Sequence, residues 1–284
     1  MQKVTSVLQN IALSHVGLAV ADPQAAAGYY ARTLGLAVSE TLADGTMRLG
    51  WGRGFHALEL RSGNGLDHFG LELRDEAALA ELEARLHAHG VPAAYEAVDG
   101  DHLPVLAFRD RDGHRVEAHG PVDRSGEHAA DPGRRPIRIH HVTLASPAIA
   151  EQVAFYEHVL GFRVSDRMGD VFVWLRCNQE HHTVAVVEAG QAGLDHYAYE
   201  IDSWASLKTW CDELAARGVA LQWGPGRHGP GNNLFVMFDD PAGNHVELSC
   251  EMERYWDETA EYEPRRWSPG AKTVNLWGPV PTWR

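Results

Sequence analysis

The sequence predicts an α+β protein built from four βαβββ modules, paired into two domains that each curve into an open barrel. Three observations lead to this prediction. Two long segments repeat each other, apolar residues alternate or recur at helical spacing within each repeat, and a stretch rich in Pro, Gly and charge separates the halves. The expected division is an N-terminal domain at 1–120, a linker at 121–137, a C-terminal domain at 138–250 and a tail at 251–284 that covers the C-terminal domain.

The first strand and helix of the two repeats are alike. Residues 14–36 read SHVGLAVADPQAAAGYYARTLGL, and residues 140–162 read HHVTLASPAIAEQVAFYEHVLGF. In the second segment, apolar side chains recur at helical spacing after a short β-type run, which predicts a strand followed by an amphipathic helix. Gly35 and Gly161 stand at the expected helix ends, where a left-handed residue is favoured.

The later strands of each repeat also match. GLDHFGLELRD at 65–75 parallels GLDHYAYEIDS at 193–203, and each run precedes a second amphipathic stretch. RDRDGHRVEAHG at 109–120 parallels DDPAGNHVELSC at 239–250, with a glycine in a tight turn between alternating strands. A duplication of this kind predicts the fold, but it does not by itself require any chemistry.

Composition and charge favour a protein of the reducing cytoplasm. The chain has 284 residues and a formal net charge of −14, so it repels the phosphate backbone of nucleic acids. Its three cysteines, Cys177, Cys211 and Cys250, are too few and too scattered for a disulfide framework or a zinc knuckle. No apolar stretch approaches the roughly 20 residues that span a bilayer, and the first residues lack a signal-peptide layout. We therefore expect no nucleic-acid or membrane partner.

Two histidines and one glutamate occupy predicted strands of the second half. His141 and His196 lie near the start of their strands, and Glu247 lies near the end of a third. If these strands curve into one barrel, both imidazoles and the carboxylate meet in its interior. Two His and one carboxylate leave three positions of a metal open, as in non-heme iron(II) oxygenases, although manganese and zinc accept the same ligand types. The alternative for each histidine is a hydrogen-bonded core residue.

The run from Gly226 to Glu247, GRHGPGNNLFVMFDDPAGNHVE, carries the most specific pattern in the chain. It resembles the motif of the type I extradiol ring-cleavage dioxygenases of the vicinal oxygen chelate (glyoxalase/bleomycin resistance/dioxygenase) superfamily. That motif is Gly-x-His, a gap, an apolar residue, Tyr, an acidic or small residue, Pro-x-Gly and then Glu. The resemblance covers about residues 11–250 and implies two open-barrel vicinal oxygen chelate domains.

The resemblance also implies roles for individual residues. His141, His196 and Glu247 would hold iron(II), with manganese(II) as an alternative. His182 would be the acid/base next to the metal, and His228 would hydrogen-bond the bound catecholate. The substrate pocket would be lined by Trp174, Trp223, Met237 and His228.

One position departs from the family motif. The family's tyrosine is Met237 here, and methionine cannot donate a hydrogen bond. Either His228 and the metal suffice, or a tail tyrosine such as Tyr255 or Tyr262 substitutes, or the substrate differs from a simple catechol. Trp223 stands where some relatives that bind carboxylated catechols have Arg, so we expect a substrate without a carboxylate arm on the ring.

The first half carries the same residue types at equivalent positions: His15, His68 and Glu117, with His56 parallel to His182. Family enzymes usually keep metal only in the second half. The first half has no Gly-x-His loop at the matching distance, since His102 lies closer to Glu117 than His228 does to Glu247. We expect a metal-free relic here, with a second metal site as the alternative.

The resemblance implies an enzyme of aromatic catabolism that inserts both atoms of dioxygen into a catechol-type diol. The ring would open beside the hydroxyls and give a muconic semialdehyde-type product. Cleavage of a hydroquinone or trihydroxybenzene is one alternative, favoured by Met237. A glyoxalase-type isomerase or lyase, and a non-enzymatic ligand-binding module, are the others. Relatives are commonly homo-oligomers, so we expect a dimer or tetramer.

Overall fold

A computed structural model gives the structure of the protein. Most of the expected linker at 121–137, together with His102, lies outside the residues that the structure describes. The described residues are 10–51, 55–97, 104–122, 135–257, 260 and 262–281.

The first half folds into one mixed sheet. Within the described residues the sheet has the strand order β2-β3-β4-β1-β5-β8-β7-β6. Its strands are β1 (Ala12–Val20), β2 (Ala37–Thr41), β3 (Met47–Gly50), β4 (Leu58–Ser62), β5 (Gly65–Glu72), β6 (Ala93–Glu96), β7 (Val105–Arg109) and β8 (Arg115–His119). Two helices connect strands of this sheet: α1 (Pro23–Leu34) and α2 (Glu76–Ala88).

The second half folds into a second mixed sheet, with the order β14-β15-β16-β13-β9-β12-β11-β10-β17 across its described part. Its strands are β9 (Arg138–Ser146), β10 (Arg163–Met168), β11 (Phe172–Arg176), β12 (Val184–Glu188), β13 (Gly193–Glu200), β14 (Leu221–Arg227), β15 (Leu234–Asp239), β16 (His245–Cys250) and β17 (Arg265–Trp267). Its helices are α3 (Ile149–His158), α4 (Trp204–Ala216) and α5 (Ala271–Val274). None of the helices in the described residues is both long and apolar enough to cross a bilayer.

Each sheet consists of two modules joined at its centre. β1 pairs in parallel with β4 and antiparallel with β5, and β9 pairs in the same two ways with β12 and β13. Over the described residues the two outer strands of each sheet do not pair with each other, so each sheet curves without closing. The predicted α+β fold of tandem βαβββ modules in two open barrels is confirmed.

The first helix of the chain shows how local sequence sets these elements. The Asp22 carboxylate accepts a hydrogen bond from the Ala25 backbone N–H at 2.9 Å, and Pro23 occupies the first turn, where its missing N–H has no helical partner to lose. Gly35 ends the helix at φ 68°, in the left-handed region that glycine adopts without strain. Tyr30 and Leu34 are buried on the face that packs on the sheet.

The contact between the halves repeats the duplication. The Tyr30 hydroxyl of α1 donates to Asp240 Oδ2 at 2.5 Å, in the turn between β15 and β16. In the other direction, the Tyr156 hydroxyl of α3 donates to Asp110 Oδ2 at 3.1 Å, in the turn between β7 and β8. Hydrophobic residues of both halves belong to one buried cluster. The two sheets are therefore held in a fixed relation to each other.

Candidate metal centre and active site

Three neighbouring strands carry the predicted metal ligands of the second half. Ala198 on β13 is paired with His141 on β9 at one side and with Glu247 on β16 at the other. His196 lies two residues before Ala198, and side chains two residues apart share a face of a sheet. The two imidazoles and the carboxylate therefore project from the same face, as the sequence predicted.

The distances between these side chains fit a bound divalent metal. His141 Nε2 lies 3.7 Å from Glu247 Oε1, and His196 Nε2 lies 3.7 Å from Glu247 Oε2. Two ligand atoms that are each about 2.1 Å from a metal are at most about 4.2 Å apart. Glu247 is fully buried and its Oε2 forms no hydrogen bond, an arrangement that is costly unless a cation neutralises the charge.

Neighbouring polar groups hold the three side chains in place. Asp195 Oδ1 lies 2.5 Å from His196 Nδ1, and His140 Nδ1 lies 3.0 Å from His141 Nδ1. The amide of Asn233 donates to Glu247 Oε1 at 3.2 Å. Such contacts fix the tautomer and orientation of metal ligands. The sequence did not predict these supporting groups. The signals were pairs of adjacent residues: His-His at 140–141, Asp-His at 195–196 and Asn-Asn at 232–233 in the Gly-rich loop.

Burial and neighbouring charges set the protonation states of His141 and Glu247. Desolvation lowers the pKa of His141 well below its ordinary value, although the charge of Glu247 opposes this shift. For Glu247, burial raises the pKa, but interactions with His228 and the nearby imidazoles outweigh burial and lower the pKa below its ordinary value. Neutral imidazole and ionised carboxylate are the forms that bind metals.

His182 lies against the triad and is connected to the tail. Its ring centroid is 4.4 Å from that of His141, and its Nδ1 is 3.0 Å from His181 Nδ1. His181 Nε2 in turn lies 3.1 Å from Asp166 Oδ2, which also accepts a hydrogen bond from Arg265 of β17. Desolvation lowers the pKa of His182 well below its ordinary value, and the charges of His141 and His181 lower it further. His182 is therefore neutral near pH 7.

His228 reaches the triad from the Gly-rich loop. Its Nε2 lies 3.6 Å from Glu247 Oε2, and its ring stacks on Phe235 with centroids 3.8 Å apart. Its Nδ1 lies 2.5 Å from the carbonyl oxygen of Val274 in α5. Because a carbonyl only accepts, Nδ1 carries a proton, and in the tautomer with that single proton Nε2 is an acceptor. This contact from the tail was not predicted from the sequence.

A cavity of about 400 Å³, counting space open to solvent, contains the predicted pocket residues. The stacked rings of Phe172 and Trp174, 4.1 Å between centroids, form one wall. Trp223 and Met237 lie on another side, where the Trp223 indole N–H donates to the carbonyl of Pro279 in the tail. The full lining is His141, Thr143, Phe172, Trp174, His182, His196, Trp223, His228, Pro230, Met237, Glu247 and Val274.

The two tail tyrosines do not reach this cavity. Tyr255 lies with its ring 4.5 Å from the Arg176 guanidinium carbon, and Tyr262 lies 5.5 Å from the same carbon. Their rings contact each other at 4.7 Å between centroids, and neither residue belongs to the cavity lining. The structure therefore does not bring either tyrosine into the cavity, where it could replace the tyrosine that the family has at position 237.

The sequence matches the family model described as the Glyoxalase/Bleomycin resistance protein/Dioxygenase superfamily over residues 12–118 and 138–248. These two ranges span the two sheets apart from β17 and cover most of the chain. The chain belongs to this superfamily.

Several similar proteins are named as metapyrocatechases or dioxygenases. The chain is 31% identical over 223 residues to Metapyrocatechase 2 of Cupriavidus necator, covering 68% of the chain and 69% of that protein. It is 27% identical to an Iron-dependent extradiol dioxygenase of Rhodococcus jostii strain RHA1, covering 74% and 76%. The predicted kinship with the extradiol dioxygenases of this superfamily is confirmed.

Two solved structures extend this comparison. The 2,3-dioxygenase LapB from Pseudomonas sp. KL28 superposes with a TM-score of 0.82 at 25% identity, covering 92% of this chain and 99% of that one. A Mn(II)-bound glyoxalase from Novosphingobium aromaticivorans superposes with a TM-score of 0.84 at 29% identity, covering 94% and 90%.

Proposed function

We propose that this chain is an extradiol dioxygenase that opens the ring of a catechol-type diol and inserts both atoms of dioxygen, giving a muconic semialdehyde-type product. The observation that carries the proposal is the convergence of His141, His196 and Glu247 in one cavity with His182 and His228. The relatives named metapyrocatechase and iron-dependent extradiol dioxygenase support the same reaction.

We assign iron(II) to His141, His196 and Glu247, with manganese(II) as the alternative. Two imidazoles and one carboxylate on one face leave three positions open to other ligands. When bound, the ion would supply a Lewis acid that lowers the pKa of a catechol hydroxyl and holds the diol beside dioxygen. The chain's own contribution is to bind the diol in a cavity with apolar walls and to move its protons.

His228 and His182 accept and return the protons of the substrate. His228 Nε2 is an acceptor because Nδ1 faces the Val274 carbonyl, so it accepts a hydrogen bond from a substrate hydroxyl. His182 is neutral and buried 4.4 Å from the His141 ring, so it can take a proton from the substrate and return it when the ring opens. Asp166, behind His181, stabilises a proton that reaches His182.

The cavity favours an uncharged aromatic substrate. Phe172, Trp174, Trp223, Met237 and Val274 supply its apolar walls. Among the described residues that line it there is no Lys or Arg to pair with a carboxylate arm. Hydroquinone and trihydroxybenzene substrates remain the second candidate, because Met237 stands where the family motif has a hydroxyl donor.

The direct test is anaerobic reconstitution with iron(II), followed by oxygen-electrode assays of catechols, hydroquinones and trihydroxybenzenes. We expect uptake of one dioxygen per catechol and a product whose mass equals substrate plus dioxygen. A glyoxalase-type activity, suggested by the name of one structural neighbour, would turn over an α-hydroxycarbonyl substrate without oxygen. Stoichiometric metal without oxygen uptake on any diol would contradict the proposal.

Three further expectations from the sequence belong to this proposal. They are a homo-oligomer, a cytoplasmic location, and a division at 1–120, 121–137, 138–250 and 251–284 with catalysis in the third unit. The tail's contribution of Val274 to the cavity supports treating 251–284 as part of the catalytic unit. Sedimentation of the purified full chain measures the oligomeric state.

A further inference from the structure

The first half brings together the same three residue types in the same register. Gly70 on β5 is paired with His15 on β1 at one side and with Glu117 on β8 at the other. His68 lies two residues before Gly70 and shares its face of the sheet. Ala198 has the same place in the second half, where it is paired with His141 on one side and Glu247 on the other.

The donor atoms of this N-terminal triad, His15, His68 and Glu117, lie as close together as those of the C-terminal one. His15 Nε2 is 3.7 Å from Glu117 Oε2, and His68 Nε2 is 3.9 Å from the same oxygen. The three donor atoms lie within 4.8 Å of one another. Ligand pairs around one metal are at most about 4.2 Å apart, so the two distances to Glu117 need no large movement.

Both imidazoles are buried with a nitrogen that has no hydrogen-bond partner. His15 is 1% exposed and His68 is 3% exposed. Nε2 of each ring is buried and forms no hydrogen bond, and both nitrogens point toward the Glu117 carboxylate. A buried polar atom without a partner is destabilising, and a bound cation would remove that cost.

The opposite nitrogens are already engaged. His68 Nδ1 lies 2.8 Å from Asp67 Oδ2, and His15 Nδ1 lies 2.9 Å from Ser14 Oγ. The contact of His68 with Asp67 matches that of His196 with Asp195 in the second half. Because a carboxylate accepts a hydrogen bond from Nδ1–H, Nε2 of His68 keeps its lone pair for a metal.

Glu117 has one oxygen engaged and one directed at the imidazoles. Arg115 Nε donates to Glu117 Oε1 at 2.9 Å, while Oε2 faces both histidines. Asn233 has the same relation to Glu247, since it donates to Oε1. The Arg115 guanidinium therefore leaves Oε2 of Glu117 available as a single metal ligand, as the Asn233 amide leaves Oε2 of Glu247 available in the second half.

We propose that the N-terminal domain holds a second divalent transition-metal ion on His15, His68 and Glu117. Two imidazoles and a carboxylate select ions of the manganese, iron and zinc group rather than calcium or magnesium. The ring of Phe55 packs against the site, with its centroid 5.4 Å from that of His15 and 4.4 Å from that of His56. Because its ligands come from three strands, the ion ties β1, β5 and β8 together.

The competing explanation is a metal-free ion-pair cluster. Burial lowers the pKa of His68, but the contact with Asp67 and the charge of Glu117 outweigh it and raise the pKa above its ordinary value. A protonated His68 would then neutralise Glu117 in place of a metal. The sequence-based expectation of a relic corresponds to this cluster, and metal content separates the two explanations.

The test uses untagged full-length Glu247→Gln, in which the C-terminal triad has lost its carboxylate. The protein is stripped with chelator, loaded with Mn(II), desalted and analysed for metal by mass spectrometry. We expect about one ion retained per chain in Glu247→Gln and about two in the parent chain. Glu117→Gln added to Glu247→Gln should lose the remaining ion. One ion in the parent and none in Glu247→Gln would overturn the proposal.

A second measurement covers the case in which the double variant does not fold. Mn(II) is titrated into the stripped Glu247→Gln protein while the thermal midpoint is recorded, since a ligand that binds only the native state raises it. We expect an increase that saturates near one equivalent, and Glu117→Gln alone should retain only the C-terminal ion. No shift would overturn the proposal. Neither readout involves ring cleavage, so failure here is distinguishable from failure of the proposed function.

Discussion

The two halves of the chain carry the same triad in the same strand register, yet within the residues that the structure describes only the second has the surroundings of an active site. In both halves, a carboxylate lies 3.7–3.9 Å from two imidazoles, and one of its oxygens accepts a hydrogen bond from a side-chain N–H. The second half adds His228, which approaches Glu247 from the Gly-rich loop at 3.6 Å. In the first half, Phe55 lies against the triad.

This difference shows that ligand geometry and a substrate pocket are separate properties of the fold. Three adjacent strands suffice to set the triad, because register and alternation place the side chains. The pocket requires a loop, aromatic walls and a cover from outside the repeat. Val274 and Pro279 of the tail supply that cover through contacts with His228 and Trp223.

The largest expected effect comes from removing an imidazole of the C-terminal triad. His196→Ala should lose its C-terminal metal and reduce oxygen uptake to background, because two ligands hold the ion too weakly, while the fold is kept. Metal analysis and oxygen uptake after anaerobic loading measure this. His245→Ala is the matched control, since His245 is paired with His196 but bonds Asp239 instead of facing the cavity. If His196→Ala binds as much iron at the C-terminal site as the parent protein, with any N-terminal ion subtracted, the ligand assignment is wrong.

The next effect distinguishes His182 from His56, the residue at the equivalent position of the first half. His182→Ala should retain metal but slow turnover by about a hundredfold or more, because a general acid/base is lost. His56→Ala removes the residue at the equivalent position of the first half and should leave turnover unchanged. Single-turnover rates on the iron-loaded enzyme test both variants. Equal slowing in the two variants, or none in His182→Ala, would remove His182 from the mechanism.

A moderate effect is expected where the tail strand joins the second sheet. Asp166 is buried and accepts hydrogen bonds from Arg265 and Trp267, so Asp166→Asn should lower the free energy of unfolding by about 1–3 kcal/mol. Glu253→Gln removes the charge of the partly exposed carboxylate that pairs with the same guanidinium and should cost about 0–1 kcal/mol. Denaturant titration measures both, and equal costs would contradict the assigned role of burial.

Asp166 should also make the free energy of unfolding depend on pH. Burial raises the pKa of Asp166, but contacts with His181 and Arg265 outweigh it, and the pKa lies below its ordinary value. A folded-state pKa below the unfolded one gives stability that is complete above the unfolded pKa, near 4, and is lost as pH falls through the folded value. As the pH falls below about 4, the free energy of unfolding of Asp166→Asn should therefore decrease less than that of the parent protein.

The smallest effect tests the departure from the family motif. Met237→Tyr restores the motif residue in a fully buried position of the cavity. If His228 and the metal already orient the diol, kcat/KM should change by about tenfold at most, since one added hydrogen bond contributes about 1 kcal/mol. Met237→Leu keeps the size without a hydroxyl and serves as control. A much larger gain on hydroquinones or catechols would identify position 237 as the determinant of the substrate.

The duplicated fold and the convergence of the triad could be predicted because both depend on local patterns. The repeated GLDH run placed His196 on one strand, and the Pro-x-Gly turn placed Glu247 on another. Alternation then decided which side chains share a face. The same reasoning brought His15, His68 and Glu117 together, and it could not say whether the first site holds metal.

The sequence by itself determined the two-sheet fold, the two triads and the absence of a motif tyrosine at Met237, because these follow from strand periodicity and from a motif within one stretch of chain. Only the tertiary structure decided that Asn233 supports Glu247, that the tail fixes the His228 tautomer through Val274, and that Phe55 lies against the first triad. Those contacts join segments that have no common periodicity, so nothing in the spacing of residues encodes them.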